Sequence, residues 1–208
     1  MKTNKKIIIA ITGKSAVGKD TIVNELVDKC HFQKLVATTT REKRPNEIDG
    51  KDYFFIKENE WTESKNDIIA QEKYKTYDKN GNRTIWKYGI HKSQLDFNSD
   101  LYVCILTPKG VKELKKYFKG NKDIIILPYY IYCNKETRLQ RIKKRNDNQS
   151  EKEIKRRLKG DFLKFLSINT KNYYTIFTNE NTRDIEIICK RIFETAIHWK
   201  TFYQSFLK

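Results

Sequence analysis

Residues 6–21 read KIIIAITGKSAVGKDT, and this stretch decides the fold. Its first half, Lys6–Thr12, is rich in β-branched side chains, which is typical of a strand buried on both faces of a parallel sheet. After Gly13, apolar side chains recur at helical spacing, at Ile22, Val23, Leu26 and Val27. A strand, a glycine-containing loop and a helix in this order indicate the opening of an α/β fold.

The loop from Gly13 to Lys19 has the spacing G-x-x-x-x-G-K. Between a strand and a helix, this pattern predicts a phosphate-binding loop, because its backbone N–H groups can wrap an anion and the helix N-terminus adds partial positive charge. Lys19 can then reach the β- and γ-phosphates of a nucleotide. We predict ATP-binding residues at Gly13, Ser15, Ala16, Val17, Gly18, Lys19, Asp20 and Thr21.

The residue after Lys19 is Asp20, where most such loops carry a Ser or Thr that holds Mg²⁺. A carboxylate beside a triphosphate is repelled unless a cation lies between them. We therefore predict Mg²⁺ near Asp20 and Thr21, bound partly through water. The alternative is that Asp20 is a first-turn residue favoured by the helix dipole, without a role at a metal.

The length and composition fit a single polar domain. The chain has 208 residues, of which 38% are hydrophobic and 33% charged, a mixture too apolar for a disordered chain. The net charge of +17 indicates anionic partners such as nucleotides. The basic residues are spread along the whole chain instead of forming one block, so the charge by itself does not select a partner, and nucleic acid is the less favoured one.

The cysteines and the N-terminus indicate a cytoplasmic protein. The four Cys residues form no C-x-x-C pair, which is typical of reduced and mostly buried thiols. The apolar run after Lys6 is too short for the core of a signal peptide. No apolar run approaches the roughly 18 residues that a membrane span needs. The sequence leaves monomer and homodimer open.

Strand-like and helix-like segments alternate along the rest of the chain. Further strands are predicted at Leu35–Ala37, Leu101–Leu106, Ile124–Tyr132 and Tyr173–Thr178. Such alternation predicts a parallel sheet covered by helices on both faces. Residues 38–92 are different, because they are rich in Lys, Asn, Asp and Tyr. We interpret them as an inserted lobe with a hairpin turn at Asn80-Gly81.

The inserted lobe begins with a dense polar cluster. Residues 39–55 read TTREKRPNEIDGKDYFF. Arg41 and Arg44 can fork onto one phosphate, for which the planar guanidinium is suited, and Tyr53 can add an O–H donor. A solvated turn does not need two Arg, a Tyr and a Gly together just past a strand. We therefore predict a phosphate site for the acceptor here.

The pattern T-T-R-x-x-R-x-x-E-x-x-G-x-D-Y-x-F in residues 39–55 resembles the acceptor-binding motif of guanylate kinases at every fixed position. The glycine loop, Tyr88-Gly89 and a basic segment around 138–157 follow the family's order, so the resemblance covers nearly the whole chain. It implies an α/β fold with a P-loop NTPase core, an inserted acceptor-binding lobe and a lid. The implied bounds are 1–37, 93–140 and 171–208 for the core, 38–92 for the lobe and about 141–160 for the lid.

The resemblance also implies an activity and roles for single residues. ATP with Mg²⁺ would be the phosphoryl donor, and a nucleoside monophosphate, GMP or dGMP, would be the acceptor and give GDP or dGDP. The implied catalytic residues are Lys19, Arg41, Arg145 and Arg157, with Arg156 as an alternative to Arg157. Arg141 would lie near the ATP. The implied acceptor-binding residues are Thr38, Arg41, Arg44, Glu47, Tyr53, Glu72 and Tyr88.

Three positions that read guanine in the family differ in this chain. They are Ala37 for a Ser, Ala70 for a Glu, and Ile90 for a Thr or Ser. Thr38 and Glu72 can stand in for the missing groups. Because discrimination comes from the penalty for unpaired polar groups, we expect relaxed or altered base specificity.

A further difference concerns the metal. The family's D-x-D pattern on a central strand, whose first carboxylate is associated with Mg²⁺, is replaced here by Ile105 and Thr107. We interpret Asp20 as a compensating carboxylate on the loop side.

Two other functions stay open at this point. Ribose 1,5-bisphosphate phosphokinases are similar in their G-K-D-[ST] loop and their Tyr-Gly-aliphatic step, although the motif at residues 39–55 favours a nucleotide acceptor. A non-catalytic guanylate kinase-like binding module typically loses the loop Lys or its glycines. This chain retains Gly13, Gly18 and Lys19, which favours an enzyme.

Overall fold

The computed structural model describes residues 5–77, 82–144, 155, 158–161, 165 and 175–205, with residues 203–205 described in backbone only. The described strands are β1 (Lys6–Gly13), β2 (Gln33–Lys34), β3 (Thr38–Thr39), β4 (Phe54–Phe55), β5 (Ile68–Tyr77), β6 (Arg83–His91), β7 (Leu101–Ile105), β8 (Ile124–Tyr132) and β9 (Thr175–Thr178). The described helices are α1 (Lys19–Cys30), α2 (Glu58–Ser64), α3 (Pro108–Tyr117), α4 (Lys135–Lys144) and α5 (Thr182–Ser205).

The core is a five-stranded parallel sheet in the order β2-β7-β1-β8-β9. The central strand β1 is apolar on both faces, as predicted for a doubly covered strand. Ile7, Ile9 and Ile11 pack in a cluster with residues of α1 and α5. Ile8 and Ala10 pack on the other face with residues of α3. The predicted α/β fold with helices on both faces is confirmed.

A second sheet, in the order β4-β3-β6-β5, is formed by residues 38–91. Strands β5 and β6 pair antiparallel from Ile68 opposite His91 to Tyr77 opposite Arg83, which agrees with the predicted hairpin. Its turn at Asn80-Gly81 lies outside the described residues. The register shifts between Ile69 and Glu72, where Ala70 has a φ of 52°.

The predicted strand at Leu35–Ala37 is wrong. Strand β2 ends at Lys34 and β3 begins at Thr38, so these three residues connect the core sheet to the lobe sheet. Leu35 and Val36 are nevertheless buried, at 2% and 8% exposure. A buried crossing between two sheets therefore carries the same apolar pattern as a short strand.

An ion cluster joins the first strand to the last helix. Asp100 lies 2.9 Å from Lys6 Nζ and 2.5 Å from Lys200 Nζ. Burial opposes ionisation of Asp100, but the hydrogen bonds from Lys200 and Lys6 outweigh it and hold the pKa of this carboxyl below its usual range.

Within the described part of the chain, no helix combines the length and the apolar character that crossing a bilayer demands.

Candidate active site

The phosphate-binding loop lies at the carboxyl end of β1, where open α/β sheets hold their ligands. Helix α1 begins at Lys19, and Gly18 precedes it with a φ of 91°. A Cβ on Gly18 would overlap Asn179 Nδ2, so only glycine fits this position. Lys19 donates from Nζ to the Lys14 carbonyl at 2.9 Å. The loop glycines and Lys19 thus occupy the positions that the sequence pattern predicted.

Asn179 supports this loop from the far end of the chain. Its Nδ2 donates to the Val17 carbonyl at 2.8 Å, and its side chain is fully buried. Its Oδ1 has no hydrogen-bond partner among the described residues. Sequence reasoning missed Asn179, because its role depends on the end of β9 lying beside the loop.

A buried ion pair also holds the loop at Ser15. The Asp161 carboxylate accepts from the Ser15 backbone N–H at 2.8 Å and from its hydroxyl at 3.1 Å. Arg138 donates from Nη2 to Asp161 at 2.7 Å and from Nε to the Ser15 carbonyl at 2.8 Å. The two side chains are 7% and 13% exposed. Neither was among the predicted site residues, because no local pattern marks their pairing.

On the lobe, Arg41 is held between a carboxylate and two rings. Its Nη2 donates to Glu47 at 2.7 Å, and its guanidinium carbon lies 5.3 Å from the Tyr53 ring centre and 5.6 Å from that of Phe55. Burial disfavours the charge of Arg41, but the hydrogen bond to Glu47 raises its pKa overall. Glu47 also accepts from the Arg44 N–H at 2.9 Å. The structure therefore brings four of the predicted acceptor residues together.

Three tyrosine rings continue this cluster. The ring centres of Tyr53 and Tyr88 are 5.9 Å apart, and those of Tyr74 and Tyr88 are 5.2 Å apart. Burial, reinforced by the Asp20 carboxylate, raises the pKa of Tyr53 far above its usual value. Burial and then Glu72 raise the pKa of Tyr74 in the same way. Both hydroxyls therefore stay protonated near neutral pH and remain hydrogen-bond donors.

The irregularity in β5 places Glu72 beside these rings. Past the register shift, Glu72 lies directly opposite Tyr88, and directly opposed residues share a face of the sheet. The Thr107 hydroxyl donates to Glu72 at 2.5 Å. Ala70 and Ile90, two positions where guanine-reading groups are missing, instead pack in one buried apolar cluster.

Thr38 is not brought to Glu72 and Tyr88. It pairs with Gly89, one residue from the pair between Thr39 and Tyr88, so its side chain lies on the opposite face of the lobe sheet. There it lines a cleft of about 580 Å³ together with His91, Gln94 and residues of α2.

The carboxylate of Asp20 lies at the start of α1, near enough to Tyr53 and Lys34 to affect their pKa values. Among the described residues it has no hydrogen bond or ion pair, and it is exposed beside the phosphate-binding loop. Mg²⁺ commonly binds one or two carboxylates and completes its shell with phosphate oxygens and water. Asp20 is an exposed carboxylate of this kind and Thr21 follows it on the same helix turn, whereas Ile105 offers no ligand.

Arg141 lies beside the same loop. It donates to the Glu180 carbonyl at 3.2 Å and to Cys133 Sγ at 3.6 Å. A Cβ on Gly18 would be 4.0 Å from its Nη1. The other predicted arginines of the basic segment, Arg145, Arg156 and Arg157, lie outside the described residues.

Comparison with known proteins gives one consistent result. The family model for guanylate kinase matches residues 4–196. The guanylate kinase of Caldanaerobacter subterraneus subsp. tengcongensis is 33% identical over 175 residues, which cover 82% of this chain and 79% of that protein. The guanylate kinase of Mycoplasma genitalium is 31% identical, over 85% of this chain and 70% of that protein. The crystal structure of guanylate kinase from Anaplasma phagocytophilum superposes with a TM-score of 0.62 at 21% identity, covering 96% and 89% of the two chains.

Proposed function

The chain belongs to the guanylate kinase family and is an ATP-dependent nucleoside monophosphate kinase, and we propose that it phosphorylates GMP and dGMP. The acceptor phosphate would bind to a phosphate cradle, formed by Arg41, Arg44, Tyr53 and Tyr88. The base would bind to Glu72. The observation that carries this proposal is the cluster of Arg41, Tyr53 and Tyr88 on the lobe. Two cooperating sites, one for each nucleotide, are what phosphoryl transfer requires, because catalysis consists of positioning and charge neutralisation.

The donor site is the loop from Gly13 to Thr21. Its N–H groups and Lys19 would hold the β- and γ-phosphates. Lys19 would also stabilise the negative charge on the phosphoryl group during its transfer. Arg141, beside Gly18, would contact the ATP. We retain Arg145 and Arg157, or Arg156, as catalytic residues of a lid at about 141–160.

The acceptor phosphate would bind to Arg41, Arg44, Tyr53 and Tyr88. Arg41 supplies a charge that is already in place, since Glu47 and the rings fix its guanidinium. A carboxylate repels phosphate, so the role of Glu47 is to hold Arg41 and the Arg44 backbone. The hydroxyls of Tyr53 and Tyr88 would add hydrogen-bond donors.

The base would be read by Glu72. A carboxylate can accept from N1–H and the amino group of guanine, and the opposed pairing with Tyr88 keeps Glu72 next to the phosphate cradle. Ala70 is 3% exposed and offers no polar group. Because of the register shift in β5, Glu72 would make, two residues later, the base contact that Ala70 cannot make.

Mg²⁺ would be held by Asp20, partly through water, and by the Thr21 hydroxyl. When bound, the ion would neutralise part of the negative charge of the donor phosphates. The kinase would act in the cytoplasm, and its four described cysteines are all free thiols.

The test is ADP release from ATP and Mg²⁺ with GMP, dGMP, AMP, CMP, UMP, dTMP and ribose 1,5-bisphosphate as acceptors. We expect turnover with GMP and dGMP. In Glu72→Gln, the KM for GMP should rise about tenfold or more, because a charged hydrogen-bond acceptor is lost. The matched control is Glu63→Gln, an exposed glutamate in the same lobe.

Turnover with another acceptor but not with GMP would contradict the base assignment. Absence of turnover with every acceptor would contradict the activity itself. An unchanged KM for GMP in Glu72→Gln would remove Glu72 from the base site.

A further inference from the structure

All three polar groups of Ser15 are engaged by one ion pair. Its N–H and hydroxyl donate to the two oxygens of Asp161, and its carbonyl accepts from Arg138. Arg138 lies on α4, and Asp161 lies 146 residues after Ser15 in the chain. The pair therefore connects two distant segments to the phosphate-binding loop at a single residue.

The contact has the chemistry of a bound phosphate. In a phosphate-binding loop the backbone N–H groups are directed at the anion, and here the Ser15 N–H donates to an anionic oxygen at 2.8 Å. A guanidinium bonded to that same oxygen, Asp161 Oδ2, at 2.7 Å is also what binds a transferring phosphoryl group in kinases. Asp161 with Arg138 thus reproduces a phosphate oxygen and its counter-ion.

Asp161 and the γ-phosphate of ATP cannot share this position. Both are anions, and in a site this buried their repulsion is weakly screened. The Arg138 guanidinium, 7% exposed, would lose its counter-ion if Asp161 left and nothing replaced it, which is costly for a buried charge. An incoming phosphoryl group restores that balance.

We propose that the Asp161 carboxylate stands in for the γ-phosphate of ATP, and that Arg138 is a γ-phosphate-binding residue. Arg138 pairs with Asp161 until ATP binds, and the γ-phosphate then displaces Asp161. The inference rests on the proposed function, because it names a further residue of the ATP site. Arg138 holds the terminal phosphate together with Lys19. Asp161 keeps Ser15 ordered in the nucleotide-free enzyme and competes with ATP but not with ADP, which lacks the γ-phosphate.

The experiment compares the affinities for ATP and ADP by calorimetry, without acceptor. In Asp161→Asn, the Kd for ATP should fall about tenfold, because the neutral amide competes less well and a larger fraction of the protein is ready to bind. The Kd for ADP should change less than twofold. The double variant Asp161→Asn/Arg138→Met should bind ATP at least tenfold more weakly than Asp161→Asn and bind ADP as well as it does.

The matched control is Asp100→Asn, which removes a carboxylate paired with two lysines away from the loop. It should leave the ratio of the two Kd values unchanged. A purely structural role for Asp161 predicts that Asp161→Asn weakens ATP and ADP equally. An unchanged ratio in Asp161→Asn would overturn the proposal.

A second measurement uses the unmodified chain and so does not depend on a variant folding. The ¹³C resonance of the Asp161 carboxylate should shift on addition of a non-hydrolysable ATP analogue and stay in place with ADP. A resonance that responds to neither nucleotide, or to both alike, would overturn the proposal. If the unmodified chain binds no ATP at all, the proposed function itself fails, which is a different result from an unchanged ratio.

Discussion

At the scale of single residues, the phosphate cradle is held in place by contacts among its side chains and with Glu47 and Phe55. Glu47 fixes the position of Arg41 and accepts from the Arg44 backbone. The rings of Tyr53 and Phe55 lie within 6 Å of the Arg41 guanidinium carbon, a distance at which a cation is attracted by a ring. The cradle is therefore ordered before its ligand binds, which lowers the entropic cost of binding.

A first prediction concerns Glu47. In Glu47→Gln, the ion pair with Arg41 becomes a hydrogen bond from a cation to a neutral amide, which is weaker because the acceptor has lost its charge, so the guanidinium is held less firmly in place. We expect the KM for GMP to rise about fivefold to tenfold, with a smaller change in the KM for ATP, as measured by steady-state kinetics. The control is Glu63→Gln. Equal changes in both KM values would show that Glu47 supports the fold instead of the acceptor site.

Residue-scale prediction from sequence succeeded where the motif was local. The spacing of Arg41, Arg44 and Tyr53 predicted one cluster, and the structure brings these residues together. The sequence alone does not identify Arg138 and Asp161, because they meet at Ser15 only when two remote segments pack on the loop. The five arginines of the segment 138–157 look alike in the sequence when their partners are unknown.

At the scale of elements, the pairing of β5 with β6 depends on Gly89. A Cβ at this position would overlap Ile68 Cγ2 and lie 2.9 Å from the Ile69 carbonyl oxygen. Backbone atoms cannot yield as a flexible side chain does. The close approach occurs beside the register shift that places Glu72 opposite Tyr88.

We therefore predict that Gly89→Ala separates the two strands and lowers the free energy of unfolding by about 2 kcal/mol or more, as overpacking does. Urea unfolding followed by circular dichroism measures this change. Gly160→Ala is the control, because a Cβ there meets nothing within 4 Å. A loss below about 0.5 kcal/mol in Gly89→Ala would show that the strands have room to adjust.

Element boundaries were predictable only where the local pattern is unambiguous. Strand β1 and helix α1 follow directly from their residues. The register shift in β5 was not predictable, because Ala70 adopts a positive φ without being Gly, Asn or Asp. Aligning the family's Glu with Ala70 was possible from sequence, but only pairing with β6 indicates which neighbour faces the site.

At the scale of the whole molecule, acid should unfold the chain through a few specific carboxylates. The pKa values of Glu47 and Asp100 are held below their usual range in the folded state by paired cations. A carboxyl with a lowered folded pKa contributes stability above its unfolded pKa, and this contribution is lost as the pH falls through the folded value. The loss therefore begins near pH 4 and continues below it.

We predict that Asp100→Asn costs about 1 kcal/mol at pH 7 and makes the free energy of unfolding less dependent on pH below about 4. Urea titrations at several pH values measure both effects. The control is Asp28→Asn, which changes an exposed residue of α1. A pH dependence as steep in Asp100→Asn as in the unmodified chain would contradict the assignment.

The contact between Asn179 and Val17 has a consequence for the order in which the protein is made. The loop is synthesised before its support, because the amide that holds the Val17 carbonyl belongs to a residue 162 positions later. Domains generally fold as units once their segments are available. A nascent chain that ends before β9 therefore carries the nucleotide-binding motif without its support, and we expect it to bind ATP only once β9 and Asn179 have been synthesised.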